Sequence, residues 1–99
     1  MTVGVCLIKL HLLEKPSDLK VKRSLVNRLK AKIRQLFPIS LAEVAEQNLY
    51  HLTTLGLSVV AGETQEAQEL IQKILNFIDA QPYLEIVEQL VEFEQYKLK

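Results

Sequence analysis

Residues 3–36 read VGVCLIKLHLLEKPSDLKVKRSLVNRLKAKIRQL, and they contain a strand pattern followed by a helix pattern. In the first part, the even positions from Cys6 to Leu12 are all apolar, whereas Lys9 and His11 occupy odd positions. Alternation with a two-residue period indicates a strand that buries one of its faces. Residues 3–13 therefore predict a first strand whose even positions face the core.

A helix is predicted after the break at Pro16 and Ser17. Ser17 is expected to cap this helix by accepting a hydrogen bond from a first-turn N–H, and Asp18 is favourable at the positive helix end. Because Phe37 precedes Pro38, the helix is expected to end near residue 36. Apolar side chains recur along it at spacings of three, four and seven and form one stripe: Leu19, Leu25, Val26, Leu29, Ile33 and Leu36.

Four further segments follow the first helix. Residues 39–46 and 54–61 are short and partly alternating, which predicts two strands joined by a loop over residues 47–53. Residues 67–78 carry apolar side chains at helical spacing, which predicts a second helix that Pro82 ends. Residues 84–96 interleave apolar and charged residues, and their β-branched and aromatic content favours a fourth strand, with a bulge expected near Gln89.

The predicted order is therefore β-α-β-β-α-β, with one apolar stripe on each helix. A single sheet with both helices on one face buries both stripes in the fewest layers. Right-handed crossovers then give the ferredoxin-like arrangement. The sequence predicts an α+β fold, with a four-stranded antiparallel sheet and two helices on one face, forming one domain over residues 1–99.

The chain is expected to be a cytoplasmic protein without a membrane segment. No apolar run approaches the roughly 20 residues that a membrane helix needs, and the first residues lack the layout of a signal peptide. The one cysteine, Cys6, cannot form an internal disulfide and lies within an apolar run. We expect a buried, unreactive thiol.

No catalytic or metal-binding constellation is visible in the sequence. His11 and His51 are 40 residues apart and have no neighbours at metal-ligand spacing. The glycines are isolated, so no phosphate-cradling loop is predicted. Carboxylates in the fourth strand are expected to form a solvated acidic face instead of an acid–base pair: Glu85, Glu88, Glu92 and Glu94. We expect a non-enzymatic protein with no cofactor and no metal.

Positive charge is concentrated in the first helix. Residues 1–38 hold nine basic and two acidic residues, a net charge of +7, whereas residues 39–99 hold three basic and ten acidic residues, a net charge of −7. Residues 19–37 include seven basic and no acidic residues, so these charges have no i,i+4 partner in the helix. Lys22 and Arg28 are expected to assist a stripe of polar residues at helical spacing: Lys20, Arg23, Asn27, Lys30 and Arg34.

Three interpretations of this stripe remain open. It could follow the phosphates of a structured RNA or a ribosomal subunit, pair with acids such as Glu66 and Glu69 or stay in solvent, or bind an acidic protein. The sheet is a poor RNA platform, because its first and third strands lack aromatic residues. Since Val3, Val5 and Leu7 make its outer side apolar, the alternative hypothesis is a homodimeric protein–protein interaction module with no nucleic-acid binding.

Three runs, at residues 17–26, 37–44 and 55–60, resemble the YlxP-like family of small bacterial proteins. The most specific part is an SLKxKR-like helix start, followed by AEV at residues 42–44. The helix start is matched with one extra residue by Ser17, Leu19, Lys20, Lys22 and Arg23. The resemblance spans nearly the whole chain and implies a ferredoxin-like fold. Family genes often lie among those for transcription elongation, translation initiation and ribosome maturation, which implies a role near the ribosome.

The chain departs from that family in one segment. Where the family has a His-Gln-Asp pattern ending in Trp, this sequence has Glu46, Gln47, Asn48 and Tyr50. Only Gln47 and the aromatic character at Tyr50 carry over, so a function that rests on the family's His or Asp is not expected here. Gln47, Asn48 and Tyr50 form a candidate functional loop.

Overall fold

The computed structural model describes residues 1–99. Its elements are β1 (Thr2–Leu12), α1 (Leu19–Leu36), β2 (Ser40–Ala45), β3 (Leu52–Ala61), α2 (Thr64–Asp79) and β4 (Leu84–Gln95). The predicted order is confirmed, and each strand limit agrees with the predicted one to within two residues.

The strands form one sheet in the order β2-β3-β1-β4. β1 lies inside the sheet and pairs antiparallel with both β3 and β4, while β2 pairs antiparallel with β3. This is the ferredoxin-like topology that the sequence predicted. It leaves β2 and β4 as the two edge strands.

The long strand β4 contains a bulge at Val87, where its register against β1 shifts. The bulge lies two residues before the predicted position, Gln89. Its extra residue reverses the alternation, so that both Ile86 before it and Val91 after it pack against the core. The two-residue pattern in the sequence indicated that the alternation is interrupted, but it did not identify Val87 as the extra residue.

Both helices pack against the same face of the sheet. The even positions of β1 from Cys6 to Leu12 and the buried apolar residues of both helices belong to one cluster of 17 residues, so a single core joins all the elements. Leu19, Leu25 and Leu36 of the predicted α1 stripe lie outside this cluster. α1 lies over β2, and α2 lies over β1, β3 and β4. Neither helix has the length and apolar character needed to cross a membrane.

Two details at the ends of α1 correct the sequence analysis. The cap is Asp18 instead of Ser17, because the Asp18 carboxylate accepts a hydrogen bond from the Val21 N–H at 2.8 Å. Both residue types are strong caps, so sequence alone does not separate adjacent candidates. Leu36, expected in the buried stripe, is 55% exposed because it ends the helix, and Phe37 packs against the core in its place.

The single cysteine lies in the core. Cys6 is only 1% exposed, and its burial raises the pKa of the thiol to about 11. A thiol that stays protonated and has little access to solvent is a poor nucleophile. The expectation of a buried cysteine is confirmed, and low reactivity of this thiol remains a prediction.

Candidate nucleic-acid interface

The helix α1 directs its buried residues and most of its basic residues to different sides. Its fully buried positions are Lys22, Val26, Leu29 and Ile33, which face the sheet. With successive residues roughly 100° apart, the polar stripe that starts at Lys20 lies about 110° around the helix from the centre of the buried positions. The stripe therefore flanks the core contact instead of lying directly opposite to it.

Six of the seven basic residues of α1 have no acidic partner. The chain contains two ion pairs, Lys9–Glu46 and Lys22–Glu43, and the other basic residues of α1 take part in neither. The stripe therefore makes no ion pair with the acids of α2 in this structure. We call these six residues and the adjacent asparagine the basic face: Lys20, Arg23, Asn27, Arg28, Lys30, Lys32 and Arg34.

The basic face is anchored at its C-terminal end and free elsewhere. Arg34 donates a hydrogen bond to the main-chain carbonyl of Leu41 in the edge strand β2. Lys30 is half-buried, whereas Lys20, Arg23 and Arg28 are exposed. An RNA phosphate can therefore approach the N-terminal half of the face without displacing an internal contact.

Lys22 belongs to the interior of the molecule, which corrects its predicted place beside the stripe. Its residue surface is 1% exposed. The Lys22 Nζ donates to the main-chain carbonyls of Glu46 and Gln47, the latter at 3.1 Å, and lies 3.4 Å from Glu43 Oε2. These three acceptors match the three N–H donors of an ammonium group. Lys22 is therefore unable to contact a nucleic acid.

The loop between β2 and β3, residues 46–51, is held at several points. Lys22 binds its first two carbonyls, and the Leu49 N–H donates to the Glu46 carbonyl at 3.2 Å. Its last residue, His51, accepts a hydrogen bond from the Leu12 N–H at 2.8 Å. Glu46 has φ 59, a left-handed conformation that is uncommon for a residue with a side chain.

The carboxylates of Glu43 and Glu46 brace the base of this loop from opposite faces of the sheet. Glu43 faces α1 and accepts a hydrogen bond from the hydroxyl of buried Thr53 at 2.6 Å. Glu46 faces the open side, where it accepts a hydrogen bond from Thr54 and lies 3.8 Å from the Lys9 ammonium. The two acids therefore hold the loop to the sheet and are engaged by internal partners.

The side chains predicted as a candidate functional loop lie on the surface beside α1. Gln47, Asn48 and Tyr50 are exposed, and the Lys15 Nζ lies 5.8 Å from the centroid of the Tyr50 ring. Because the Lys22 side chain extends from α1 to the main chain of the loop, the loop lies beside the N-terminal half of α1. The sequence motifs did not predict this proximity, since its hydrogen bonds join residues at least 24 positions apart.

The sequence also gave no indication that the two histidines meet. The rings of His11 and His51 contact edge to face, with centroids 6.1 Å apart. No group of three or more His, Cys, Asp or Glu side chains is arranged to hold a metal ion.

The outer face of the sheet is apolar at its centre. Val5, Leu7 and Leu90 are each at least 40% exposed, and Leu7 and Val44 border Gly56 on β3. An open depression of about 240 Å³ lies here. These exposed apolar side chains are the observation that supports the alternative hypothesis of a protein–protein interaction.

Comparison with known proteins agrees with the resemblance seen in the sequence motifs. Residues 3–91 match the model of a family described as "Protein of unknown function (DUF503)". The chain is 28% identical over 68 residues to "Uncharacterized protein YlxP" of Bacillus subtilis, an alignment that covers 69% of this chain and 74% of that protein. The resemblance to the YlxP-like family is confirmed. Lys22 and Glu43, one from each of the two most specific motifs, form the buried ion pair.

Proposed function

The chain belongs to the DUF503 family of proteins of unknown function, and we propose that it is a non-enzymatic, cytoplasmic RNA-binding or ribosome-associated factor that acts through the basic face of α1. The observation that carries this proposal is that six basic side chains on one helix have no acidic partner in the fold. Such charges are available to an external polyanion. Structured RNA, free or in a ribosomal subunit, is the proposed partner.

The dimensions of the basic face suit a phosphate backbone. Its outermost basic residues, Lys20 and Arg34, are separated by a rise of about 21 Å along the helix axis. Successive charges of the face are two to five residues apart in the chain, so neighbouring cations are separated by a rise of roughly 3–8 Å along the helix. Each phosphate that the row neutralises releases condensed counterions, and this release supplies much of the affinity of such interfaces.

The opposite side of the molecule favours approach through the helix. On the outer face of β4, Glu88 and Glu92 lie across from Lys9 and Val5 of β1. Carboxylates at these positions repel phosphate, and the two inner strands carry no Phe, Tyr or Trp ring for a base to stack on. RNA is therefore expected to bind on the helix side.

The proposal is tested by co-sedimentation of the protein with ribosomal subunits in sucrose gradients. The variant for this test leaves Arg34 unchanged, because its hydrogen bond to the Leu41 carbonyl supports the fold. It reverses three other charges of the basic face: Lys20→Glu, Arg23→Glu and Lys30→Glu. We expect this variant to lose co-sedimentation at moderate salt, because it replaces phosphate attraction with repulsion.

A matched control separates a local site from a general effect of charge. The control reverses three lysines outside α1 and changes the net charge by the same amount: Lys73→Glu, Lys97→Glu and Lys99→Glu. It is expected to co-sediment as the unmodified protein does. Equal retention of both triple variants on the subunits, or no co-sedimentation of the unmodified protein, contradicts the proposal.

A second candidate function is supported by the apolar centre of the outer sheet face, where Val5, Leu7 and Leu90 are exposed. In this alternative the chain is a homodimeric protein–protein interaction module with no nucleic-acid binding. Light scattering at high micromolar concentration is then expected to give the mass of a dimer, and Leu7→Asp is expected to give a monomer. A monomeric unmodified protein at that concentration removes the case for self-association through this face.

A further inference from the structure

We propose that the β2–β3 loop binds one unpaired RNA base against the ring of Tyr50, beside the backbone contacts of the basic face. This inference rests on the proposed function and specifies the class of RNA: a helix or hairpin interrupted by a bulged or single-stranded nucleotide. Four features of the loop carry the inference. They are an exposed aromatic ring, nearby cations, amide side chains and a rigid attachment.

The aromatic ring is accessible and lies in a cationic setting. Tyr50 is 37% exposed, and the ammonium of Lys15 lies 5.8 Å from its ring centroid. A base can stack on an exposed ring whatever its identity, since every base has a π-face. The Lys15 ammonium lies over the ring, and when a base replaces it there, the ammonium can bind the phosphate of the same nucleotide.

The loop also offers polar groups for the edges of a base. Gln47 and Asn48 are exposed, and the one hydrogen bond of the Gln47 side chain, from Nε2 to the Glu43 carbonyl, is long at 3.4 Å. The carboxamide oxygen of Gln47 remains free as an acceptor. Amide side chains can pair with base edges that are exposed in unpaired nucleotides and hidden in a duplex.

The loop is organised before any ligand binds. Lys22 holds the carbonyls of Glu46 and Gln47, and the Leu12 N–H holds the carbonyl of His51 at 2.8 Å. These contacts lie on both sides of Tyr50 in the chain, so its backbone is fixed at either end. A group that is already ordered loses less conformational entropy on binding, which favours affinity.

One RNA strand can reach both the loop and the helix. Arg23 follows Lys22 directly in α1, and Lys22 contacts the main chain of the loop. The backbone of Arg23 is therefore joined to the loop backbone through one lysine side chain and its hydrogen bonds, a path that a few nucleotides can span. Glu43 and Glu46, which brace the loop, are engaged by internal partners. The Lys15 ammonium over Tyr50 has no acidic partner and is available to an anionic ligand.

The test compares two RNA hairpins by fluorescence anisotropy. One hairpin has a fully paired stem closed by a short loop whose bases stack on one another, and the other has the same sequence with one added nucleotide bulged from the stem. We expect Tyr50→Ala to weaken binding of the bulged hairpin by about 5- to 100-fold, the range for loss of one stacked base, and to leave the paired hairpin unchanged. Tyr50→Phe keeps the ring and is the matched control, expected to bind both hairpins as the unmodified protein does.

A further variant separates stacking from simple apolar contact. Tyr50→Leu keeps apolar bulk without a π-face and is expected to behave like Tyr50→Ala. Since Tyr50 lies on the surface, these variants are expected to retain the circular dichroism spectrum of the unmodified protein. The inference is overturned if Tyr50→Ala binds the bulged hairpin as tightly as the unmodified protein does. In that case, the proposed function still stands if the charge-reversal variant of Lys20, Arg23 and Lys30 loses affinity for the hairpins. If the unmodified protein binds neither hairpin, the proposed function and the inference about Tyr50 both fail.

Discussion

Lys22 is the single residue on which the candidate site most depends. An ammonium group removed from water carries a desolvation penalty of several kcal/mol, which must be offset by close partners. Here the offset comes from a carboxylate, Glu43, at 3.4 Å and from two carbonyls of the β2–β3 loop. Removing the ammonium leaves a largely buried carboxylate without its cation, so the contact stabilises the fold and the loop together.

Replacing Lys22 with methionine tests this account. Lys22→Met keeps the unbranched shape of the side chain, shortens it by one atom and removes its charge. We expect the free energy of unfolding to fall by about 3–5 kcal/mol, as for other broken buried pairs. The matched control is Lys20→Met on the exposed side of the same helix, expected to change stability by less than about 0.5 kcal/mol. Urea unfolding followed by circular dichroism measures both, and equal stabilities of the two variants contradict the buried role.

The place of Lys22 was partly readable from the sequence. Its spacing to Val26, Leu29 and Ile33 continues the buried stripe, and this angular position was the available signal. Its charge instead predicted a position on the surface, because lysine is seldom buried without a partner. Its partners, which include Glu43 and the Gln47 carbonyl, lie 21 to 25 positions away in the sequence. Only the fold brings them close to Lys22.

At the scale of secondary-structure elements, the closest packing joins α2 to the start of β1. A Cβ atom added at Gly4 would lie 2.8 Å from Ile71 Cδ1 of α2 and 3.0 Å from Phe93 Cε1 of β4. Real Cβ atoms essentially never come as close as the first distance. Gly4 is therefore the point at which the absence of a side chain lets the helix approach the sheet.

Substituting Gly4 is expected to strain this contact. Gly4→Ala should lower the free energy of unfolding by about 1–3 kcal/mol, the range for overpacking in a filled core. Gly62→Ala is the control, because the nearest atom to its added Cβ is Glu66 Oε1 at 3.9 Å, and it should be nearly neutral. Thermal unfolding of the two variants measures the difference in stability. If Gly4→Ala leaves the stability unchanged, α2 can shift away from β1 without a cost in stability, which contradicts the prediction.

The elements themselves were largely predictable, because each has a strong local pattern. The helical spacing in α1 and α2 and the alternation in β1 follow directly from side-chain periodicity. Details that depend on a single residue were harder to predict from the sequence, such as the bulge at Val87 and the cap at Asp18. The contact between α1 and the β2–β3 loop was not predicted, since no local pattern encodes it.

At the scale of the whole molecule, a net charge of zero conceals an uneven distribution. The seven basic residues of α1 lie on the helix side, where six of them have no acidic partner. Glu88 and Glu92 face outward from β4 on the opposite side of the sheet. The sequence indicated an uneven distribution through the charges of its two halves, but the fold separates them only in part, because Glu66, Glu69 and Asp79 of α2 lie on the same side of the sheet as α1. The exposed side of α1 is therefore cationic, and the outer face of β4 is acidic.

The salt dependence of RNA affinity tests the cationic surface most directly. If about six cations of the basic face neutralise phosphates, log K should fall linearly with log salt concentration with a slope of about −5. Affinity for a structured hairpin should then drop by roughly 10³ between about 50 and 200 mM salt. The variant with reversed charges at Lys20, Arg23 and Lys30 should give a much shallower slope. The control variant with reversed charges at Lys73, Lys97 and Lys99 should give the same slope as the unmodified protein. An affinity independent of salt, or no binding of structured RNA at 50 mM salt, would contradict the account.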